Sequence, residues 1–261
     1  MADPAVPAPS ATILMLQDGP EGLEVFMVVR HHQIDFASGA LVFPGGKVEE
    51  GDFAVRTWCE GVDGADDRQL SMKVGAIREA FEECGILLAR PRGEKALVSG
   101  ERLAELEGYR ELLNNGEVTI EEFLVNEDLV LACDKLQPFA HWITPEMMPK
   151  RFDTMFYLAE APPDHLAIHD GKESVDSVWI SPRDAIAGAV AGKYTIIFPT
   201  RLNVEMLGES DSVESAMRDA RNRNIISVLP WTEQRDDGNY LCIPPDAGYN
   251  ISEERMAGRP A

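Results

Sequence analysis

The sequence predicts an α/β class fold, an α+β or α/β sandwich in which helices cover both faces of a sheet. Apolar runs of strand length alternate along the chain with segments of helical periodicity, and that mixed order is typical of such a sandwich. Hydrophobic residues make up 44% of the 261 residues, enough for a substantial core. We expect one domain over residues 11–261, after a short disordered Ala/Pro-rich tail at residues 1–10.

The first elements are predicted from turn-forming residues. Ala11–Asp18 and Leu23–His31 are apolar runs separated by Gly-Pro-Glu-Gly, which predicts a β-hairpin. Ala40–Phe43 is predicted as a short strand that ends at Pro44.

Residues 53–85 are predicted to form a loop followed by a helix. The stretch from Phe53 to about Asp66 carries two glycines and several acids, which indicates an external loop that tolerates shortening. The helix is predicted to begin near Asp67 and to end at Gly85, because glycine is a good C-cap residue.

Residues 99–130 are predicted as a helical insertion. Leucines recur at roughly helical spacing from Leu103 to Leu113, and Thr119 with Glu122 makes a capping box for a second short helix. Two roles are open for this insertion: a cover packed on the core, or a lid that selects the substrate.

The second half of the chain is predicted to contain three strands, then three helices and a hairpin. The strands are Gln137–Thr144, Phe152–Ala159 and Val175–Ile180. The helices run from Ser181 to near Gly192, from Pro199 onward, and over about Ser212–Asn222, and the hairpin turns around Asp236-Asp237-Gly238.

The helix predicted from Asp67 carries an acidic face. At about 100° per residue, Glu79, Glu82 and Glu83 fall within one narrow arc, and the opposite side is apolar. Carboxylates this close repel each other, and a hard cation such as Mg²⁺ or Mn²⁺ removes the repulsion because it prefers carboxylate oxygen as ligand. The competing interpretation is a solvated acidic face on an amphipathic helix.

The residues around this face resemble the signature of the Nudix hydrolases: Gly, five residues, Glu, seven residues, then Arg-Glu-apolar-x-Glu-Glu-x-Gly-apolar. The second half of this box is complete from Arg78 to Ile86, and the first half fits from Gly46 to Asp52. Asp52 stands where the signature has Glu. Between Asp52 and Arg78 lie 25 residues instead of seven, so an insertion interrupts the box at about residues 53–70. The resemblance implies a Nudix-type mixed sheet between helices, with the helical insertion and the C-terminal helices added to it.

A similarly interrupted box occurs in the peroxisomal coenzyme A diphosphatases of mammals. Residues 36–46, 141–145 and 151–157 also look like that branch, and the resemblance covers most of residues 10–205. It implies hydrolysis of a diphosphate linkage in a nucleoside diphosphate-linked metabolite. Coenzyme A is the favoured substrate, and ADP-ribose and NADH are alternatives. A non-catalytic nucleotide-sensing module is a further alternative, but such a module would be expected to lose box carboxylates, and all three are present.

The resemblance also implies the residues of a metal site. The expected ligands for Mg²⁺ or Mn²⁺ are Glu79, Glu82, Glu83 and the carbonyl of Gly46. Arg78 is expected to orient neighbouring carboxylates through its fork of donors, and its alternative is a surface ion pair with Glu82. Asp52 is expected to support the box turn rather than to perform chemistry.

The attacking water needs a base, and the substrate needs cations. Glu79 and Glu173 are the two candidates for the base, and Glu173 is otherwise a solvated loop acid. Arg30, His32 and Lys47 are candidates for phosphate contacts, although each is a residue type that is often simply exposed. No phosphate-binding P-loop and no serine-nucleophile elbow is present in the sequence.

Charge and cysteine content limit which partners and which cellular location are expected. The net charge of −21 argues against binding to polymeric nucleic acid, which requires a basic surface, but not against a small nucleotide substrate. No apolar run approaches the length of a membrane span. The four cysteines show no close pairing and are predicted to be reduced, as in a cytoplasmic protein. A homodimer is one option for the assembly.

Overall fold

The computed structural model describes residues 4–30, 40–165 and 174–256. Its strands are β1 (Ala8–Gly19), β2 (Gly22–Arg30), β3 (Leu41–Val42), β4 (Gly45–Lys47), β5 (Cys59–Glu60), β6 (Ala89–Pro91), β7 (Leu129–Ala132), β8 (Gln137–Ile143), β9 (Phe152–Glu160), β10 (Ser174–Ile180), β11 (Ser227–Val228), β12 (Trp231–Arg235), β13 (Gly238–Cys242) and β14 (Glu253–Arg255). Its helices are α1 (Asp67–Cys84), α2 (Gly100–Leu106), α3 (Gly108–Asn114), α4 (Ile120–Glu127), α5 (Pro182–Val190), α6 (Phe198–Leu207) and α7 (Val213–Asn222).

The central sheet has the strand order β10-β2-β1-β9-β8-β11, with β3 beside β2 and β4 beside β1. One edge of β1 pairs in parallel with β9, from Ala8 opposite Phe152 to Leu16 opposite Glu160. The other edge pairs first with β4 and then with β2 in the predicted hairpin. Since β4 contains the first glycines of the box, this pairing places the box turn against the beginning of β1.

Helices cover both faces of the central sheet. Ile13 and Met15 of β1 pack in one core with α1 and α2–α4, whereas Leu14 and Leu16 pack in a second core with α6 and α7. The two cores exist because successive side chains of a strand point to opposite faces. The predicted sandwich of a mixed sheet between helices is confirmed.

The first strand begins earlier than predicted. β1 starts at Ala8, so the expectation of a disordered tail through Ser10 is wrong for its last three residues. Ser10 is buried and lies opposite Lys47 on one side and Thr154 on the other. Both partners are distant in sequence, and for that reason local composition could not indicate the strand.

The insertion in the box is not an external loop, contrary to the prediction. Val55 and Val62 are buried in the core beneath α1, and β5 pairs in parallel with β7 through Cys59 opposite Leu131. Trp58 packs against the same core. The segment therefore forms part of a small sheet, β5-β7-β6, whose existence its polar composition did not reveal.

The helical insertion packs on the box helix. Leucines of α2 and α3 are buried in the core that contains α1, and Phe123 of α4 stacks on Phe81 of α1 with ring centroids 5.5 Å apart. The Thr119–Glu122 capping box is present as predicted. These contacts favour the role of a cover over that of a lid.

The remaining elements follow the predictions closely. Strands β8–β10, the Ser181 cap of α5, the Ser212 cap of α7 and the β12–β13 hairpin are confirmed. Strands β4–β7, β11 and β14 were not predicted. The four cysteines carry free thiols. Across the described ranges, no helix combines the length and apolar character that a membrane span requires.

Candidate active site

The box helix α1 is anchored by its apolar side and presents its charged side to the box turn. Ile77, Ala80 and Phe81 are buried in the core. The helix begins at an Asp66 capping box and ends at Gly85, which adopts the left-handed conformation with φ of 67°. These limits match the prediction. Because the apolar side is fixed in the core, Arg78, Glu79, Glu82 and Glu83 are held in one orientation towards β4.

The box turn meets two of the three glutamates. The backbone N–H of Gly45 donates to Oε2 of Glu83 at 3.0 Å. Gly46 lies against the Glu79 carboxylate so closely that a Cβ added at Gly46 would be 2.4 Å from Oε1 of Glu79. Any larger residue at position 46 must therefore displace either the turn or the carboxylate. The structure thus brings Gly46, Glu79 and Glu83 together, as the box resemblance implied.

Arg78 connects the two halves of the box. Its guanidinium donates from Nε and Nη2 to the two carboxylate oxygens of Asp52, both at 3.1 Å, and from Nη2 to the carbonyl of Lys47 at 2.8 Å. Nη1 donates to Glu79 and to Glu82, each at 3.1 Å. Asp52 is fully buried and Arg78 is 3% exposed. The alternative of a surface pair between Arg78 and Glu82 is therefore wrong, because the pair exists but is buried.

Burial dominates the electrostatics of this network. Burial raises the pKa of Asp52, and the Arg78 charge offsets only part of that rise. Burial also raises the pKa of Glu82, to about 8, with the charge of Glu79 adding to the effect and Arg78 opposing it. Burial by itself would lower the pKa of Arg78, but the surrounding carboxylates outweigh it and raise that pKa. A single guanidinium is thus shared by three carboxyl groups, those of Asp52, Glu79 and Glu82.

The carboxylates at the box suit a divalent cation that takes its other ligands from substrate phosphates and water. Within residues 4–30, 40–165 and 174–256, no three His, Cys, Asp or Glu side chains converge closely enough to hold a metal by themselves. Mg²⁺ is usually bound through one or two carboxylates, with substrate phosphates and water completing its shell. Glu79 and Glu83, beside the backbone of Gly46, are the pair that suits this kind of site. Glu82 accepts from Arg78 as Glu79 does, but of these two residues only Glu79 lines the cleft described next.

A cleft of about 750 Å³ opens beside the network, a size typical of small-molecule sites. One side, the box side, is lined by Gly45, Gly46, Lys47, Glu49 and Glu79. The rest is lined mainly by apolar residues of β8, β9, α6 and the C-terminal segment. None of residues 100–127, all of which the structure describes, lines this cleft. The helical insertion therefore does not contribute to its walls.

Of the other predicted site residues, only some lie in the part of the chain that the structure describes. Lys47 is exposed and lines the cleft. Glu173 and His32 lie outside the described residues, and of Arg30 only the backbone, at the end of β2, is described. The predictions omitted Glu49, whose backbone N–H donates to Asp52 at 2.8 Å. Its position three residues before Asp52, within the box turn, was a signal that could have indicated it.

Comparisons with known proteins agree with this geometry. A family model described as the NUDT19 Nudix domain matches residues 61–204. The chain is 31% identical to the acyl-coenzyme A diphosphatase NUDT19 of Gallus gallus, over 88% of this chain and 74% of that protein. It is 24% identical to the protein of the same name from Homo sapiens, over 88% and 73%.

A solved structure gives the same result. The crystal structure of a NUDIX hydrolase from Alicyclobacillus acidocaldarius superposes with a TM-score of 0.66 at 25% identity, over 82% of this chain and 96% of that chain. The box, the cleft beside it and these relatives converge on one conclusion: the chain is a Nudix hydrolase and belongs to the NUDT19 Nudix-domain family.

Proposed function

We propose that this enzyme hydrolyses the diphosphate linkage of coenzyme A and its acyl esters, and that Mg²⁺ or Mn²⁺ held at Glu79 and Glu83 supports the reaction. The observation that carries the proposal is the cleft, in which the box side continues into a long apolar surface. Such a site suits a substrate that has a diphosphate beside an extended uncharged arm. The names of the Gallus gallus and Homo sapiens relatives support the same substrate class.

The acidic network can position a cation without itself being displaced. Nudix hydrolases generally use divalent metal ions, and a bound ion would neutralise phosphate oxygens and lower the pKa of water. Arg78 holds Glu79 and Glu82 from one side, and the N–H of Gly45 holds Glu83 from the other. Because these hydrogen bonds form in the protein alone, little reorganisation is needed when the substrate binds.

Glu79 is the candidate base that the described part of the chain offers. Glu79 lines the cleft and its side chain is 13% exposed, so water reaches it. A carboxylate engaged by a metal is a weak base, however, and Glu173 remains the alternative. Lys47, on the same side of the cleft, is the described cation closest to the box glycines in sequence and is a candidate for phosphate contact.

The reaction balances as a simple hydrolysis. Water attacks one phosphorus of the diphosphate, a new P–O bond forms, and the bridging P–O bond breaks with the phosphate of the other half as leaving group. The base takes one proton of the water. Coenzyme A would give 4′-phosphopantetheine and adenosine 3′,5′-bisphosphate, and an acyl ester would give the acylated phosphopantetheine.

A substrate panel tests this proposal. Coenzyme A, octanoyl-coenzyme A, ADP-ribose and NADH would be assayed with Mg²⁺, with Mn²⁺ and with excess chelator, and the products identified by mass spectrometry in ¹⁸O-water. We expect cleavage of the two coenzyme A compounds with one labelled phosphate product, and no turnover with chelator. Preferred cleavage of ADP-ribose or NADH, or release of the acyl chain by thioester cleavage, would refute the assignment.

Two further expectations stay predictions. A cytoplasmic location accords with the four free thiols, and a homodimer remains one option for the assembly. Sedimentation of the purified chain would decide the second.

A further inference from the structure

The cleft is divided by charge. Its charged lining residues within the described ranges are Lys47, Glu49 and Glu79, all on the box side. The remainder, here called the apolar arm, is represented by Trp142, Met147, Met148, Phe152, Phe198 and Met256. The described lining of the arm contains one serine, several threonines and apolar residues but no charged side chain. A charged group that entered the arm would lose its hydration without gaining a partner.

The strand register gives the direction of the arm. Lys47 of β4 lies opposite Ser10 of β1, Ser10 opposite Thr154 of β9, and Thr154 opposite Trp142 of β8. The cleft therefore crosses the sheet from β4 to β8. At a spacing of about 4.8 Å between neighbouring strands, this crossing is about 14 Å long. A substrate whose diphosphate sits at the box thus has one half lying across β1 and β9 towards β8.

Three exposed methionines line the arm. Met147 and Met148 lie in the loop between β8 and β9, and Met256 follows β14. They are 57%, 37% and 45% exposed, so they present apolar side chains to solvent where the cleft opens. Exposed apolar patches in clefts mark binding surfaces, and methionine adapts to ligands of different shape because its side chain is unbranched and flexible.

The walls around these methionines are fixed by hydrogen bonds. The N–H of Phe152 donates to Oγ1 of Thr144, and Arg151 Nε donates to the Thr144 carbonyl, both at 3.0 Å, which closes the base of the loop. The indole N–H of Trp142 donates to the Tyr249 hydroxyl at 2.7 Å, and that hydroxyl donates to Asn203 Oδ1 at 2.7 Å. The arm therefore combines hydrogen-bonded walls with exposed methionine side chains that can adapt to a ligand.

We propose that the apolar arm binds the pantetheine and acyl half of the substrate, and that Met147, Met148 and Met256 contact the acyl chain beyond the thioester. This inference rests on the proposed function. The adenosine half carries a charged 3′-phosphate and is excluded from the arm, whereas the pantetheine half is uncharged. The continuity of the arm with Gly46 and Glu79 selects this occupant over an unrelated apolar ligand. The three methionines then determine preference for acyl chain length.

The test compares Met148→Glu and Met256→Glu with Val190→Glu, an exposed valine of α5 outside the cleft. We expect kcat/KM for octanoyl-coenzyme A to fall by about tenfold or more in the two methionine variants, since one or two methylenes in an apolar site are worth that much. The value for unacylated coenzyme A should change much less, and Val190→Glu should change neither. An equal loss for both substrates would overturn the assignment of the methionines.

A second measurement separates this inference from the proposed function. Octanoyl-pantetheine lacks both the diphosphate and the adenosine, so its binding by calorimetry does not depend on catalysis. It should bind the parent protein and Val190→Glu, and bind Met148→Glu about tenfold more weakly. Absence of binding to the parent refutes the arm even if coenzyme A is cleaved. Binding of adenosine 3′,5′-bisphosphate that the methionine variants weaken would show the reverse orientation.

Discussion

Two neighbouring regions of the molecule have different tasks: the charged side of the box helix, and the insertion that interrupts the box. Arg78 and Glu79 lie on a helix whose position the core fixes; Glu79 lines the cleft, and Arg78 holds the Glu79 carboxylate from behind it. The insertion contributes Val55 and Val62 to that core and none of its residues, all of them described, to the cleft. Under the proposed function the helix side carries the chemistry, whereas the insertion supports the surface on which the helix packs.

This difference shows that a segment inserted into a catalytic motif can be part of the packed core instead of an external loop. β5 pairs with β7, Lys73 of α1 donates to the carbonyl of Gly61 at 3.0 Å, and Arg92 lies over the ring of Trp58 at 3.7 Å. The insertion is thus joined to α1 and to the β5-β7-β6 sheet. If the division of tasks is right, substitutions on the helix should change turnover, and substitutions in the insertion should change stability.

Glu79→Gln is expected to have the largest effect, and only on turnover. The amide keeps the size of the side chain and an acceptor for Arg78 but removes the charge, so turnover should fall about 10²–10⁴-fold. The free energy of unfolding in urea should change by at most about 1 kcal/mol. Glu214→Gln, at an exposed position of α7, is the control and should change neither. Turnover near that of the parent at saturating Mg²⁺ would contradict the role of Glu79.

Arg78→Met is expected to lower both the turnover and the stability of the protein. It leaves the carboxylate of Asp52 fully buried without its guanidinium, and loss of one partner of a buried ion pair costs about 3–5 kcal/mol of unfolding free energy. Urea denaturation measures this loss. Adding Asp52→Asn should restore part of it, because a neutral amide is less costly to bury than a carboxylate. A double variant less stable than Arg78→Met would contradict the explanation.

The loss in Arg78→Met should also depend on pH. Burial already raises the pKa of Asp52 above its ordinary value, and removal of Arg78 removes the main opposing influence. The folded state then holds a proton that the unfolded state releases above pH of about 4, so the stability of the variant should fall as pH rises through this region. Unfolding experiments at pH 5 and pH 8 test the sign: the deficit relative to the parent should be larger at pH 8.

Alanine substitutions at two glycines of the insertion distinguish the cost of a steric clash from the cost of backbone strain. Gly61 and Gly64 have nearly equal positive φ angles of 72° and 74°, so an alanine costs roughly 1–2 kcal/mol at either position. A Cβ at Gly61 would also lie 2.5 Å from the backbone nitrogen of Asp134, whereas one at Gly64 meets nothing within 4 Å. Gly61→Ala should therefore lose about 1–3 kcal/mol more than Gly64→Ala in urea unfolding. Equal losses would show that the insertion is not packed on the β7–β8 connection.

Val55→Ala is expected to have the smallest effect. Val55 is completely buried in the core below α1, and the loss of its buried methyl groups should cost at most about 1.5–3 kcal/mol. Thermal unfolding measures the loss, and Val190→Ala at an exposed position is the matched control. Steady-state kcat should stay at the parent value. A lower kcat with unchanged stability would contradict the assignment of catalysis to the helix and of stability to the insertion.

The box could be predicted because its chemistry is local in sequence. Arg78–Ile86 lie on or directly after one helix, so spacing alone places the three glutamates together. The Asp52–Arg78 pair joins residues on either side of the insertion, and the signature indicated their proximity. Their complete burial was not visible, because it results from packing between β4, α1 and the first residues of the box.

The insertion and the apolar arm could not be predicted, and the reasons are physical. β5 and β11 have two residues each, too few for an alternating pattern, and they exist because β7 and β8 supply the partners. Trp142, Phe198 and Met256 belong to three distant segments that meet only in the folded chain. No local signal exists for a wall built in this way.

The parallel pairing of β1 with β9 has a consequence for biosynthesis. Ala8 pairs with Phe152, so its partner is synthesised 152 − 8 = 144 residues later. At about 5–20 residues per second, the ribosome needs roughly 7–30 s to supply that partner. During this interval the β1–β2 hairpin can form, but the edge of β1 that later contacts β9 has no strand beside it. Unpaired strand edges attract other chains, so we expect residues 8–16 to be the segment of the nascent chain that most needs shielding until β9 emerges.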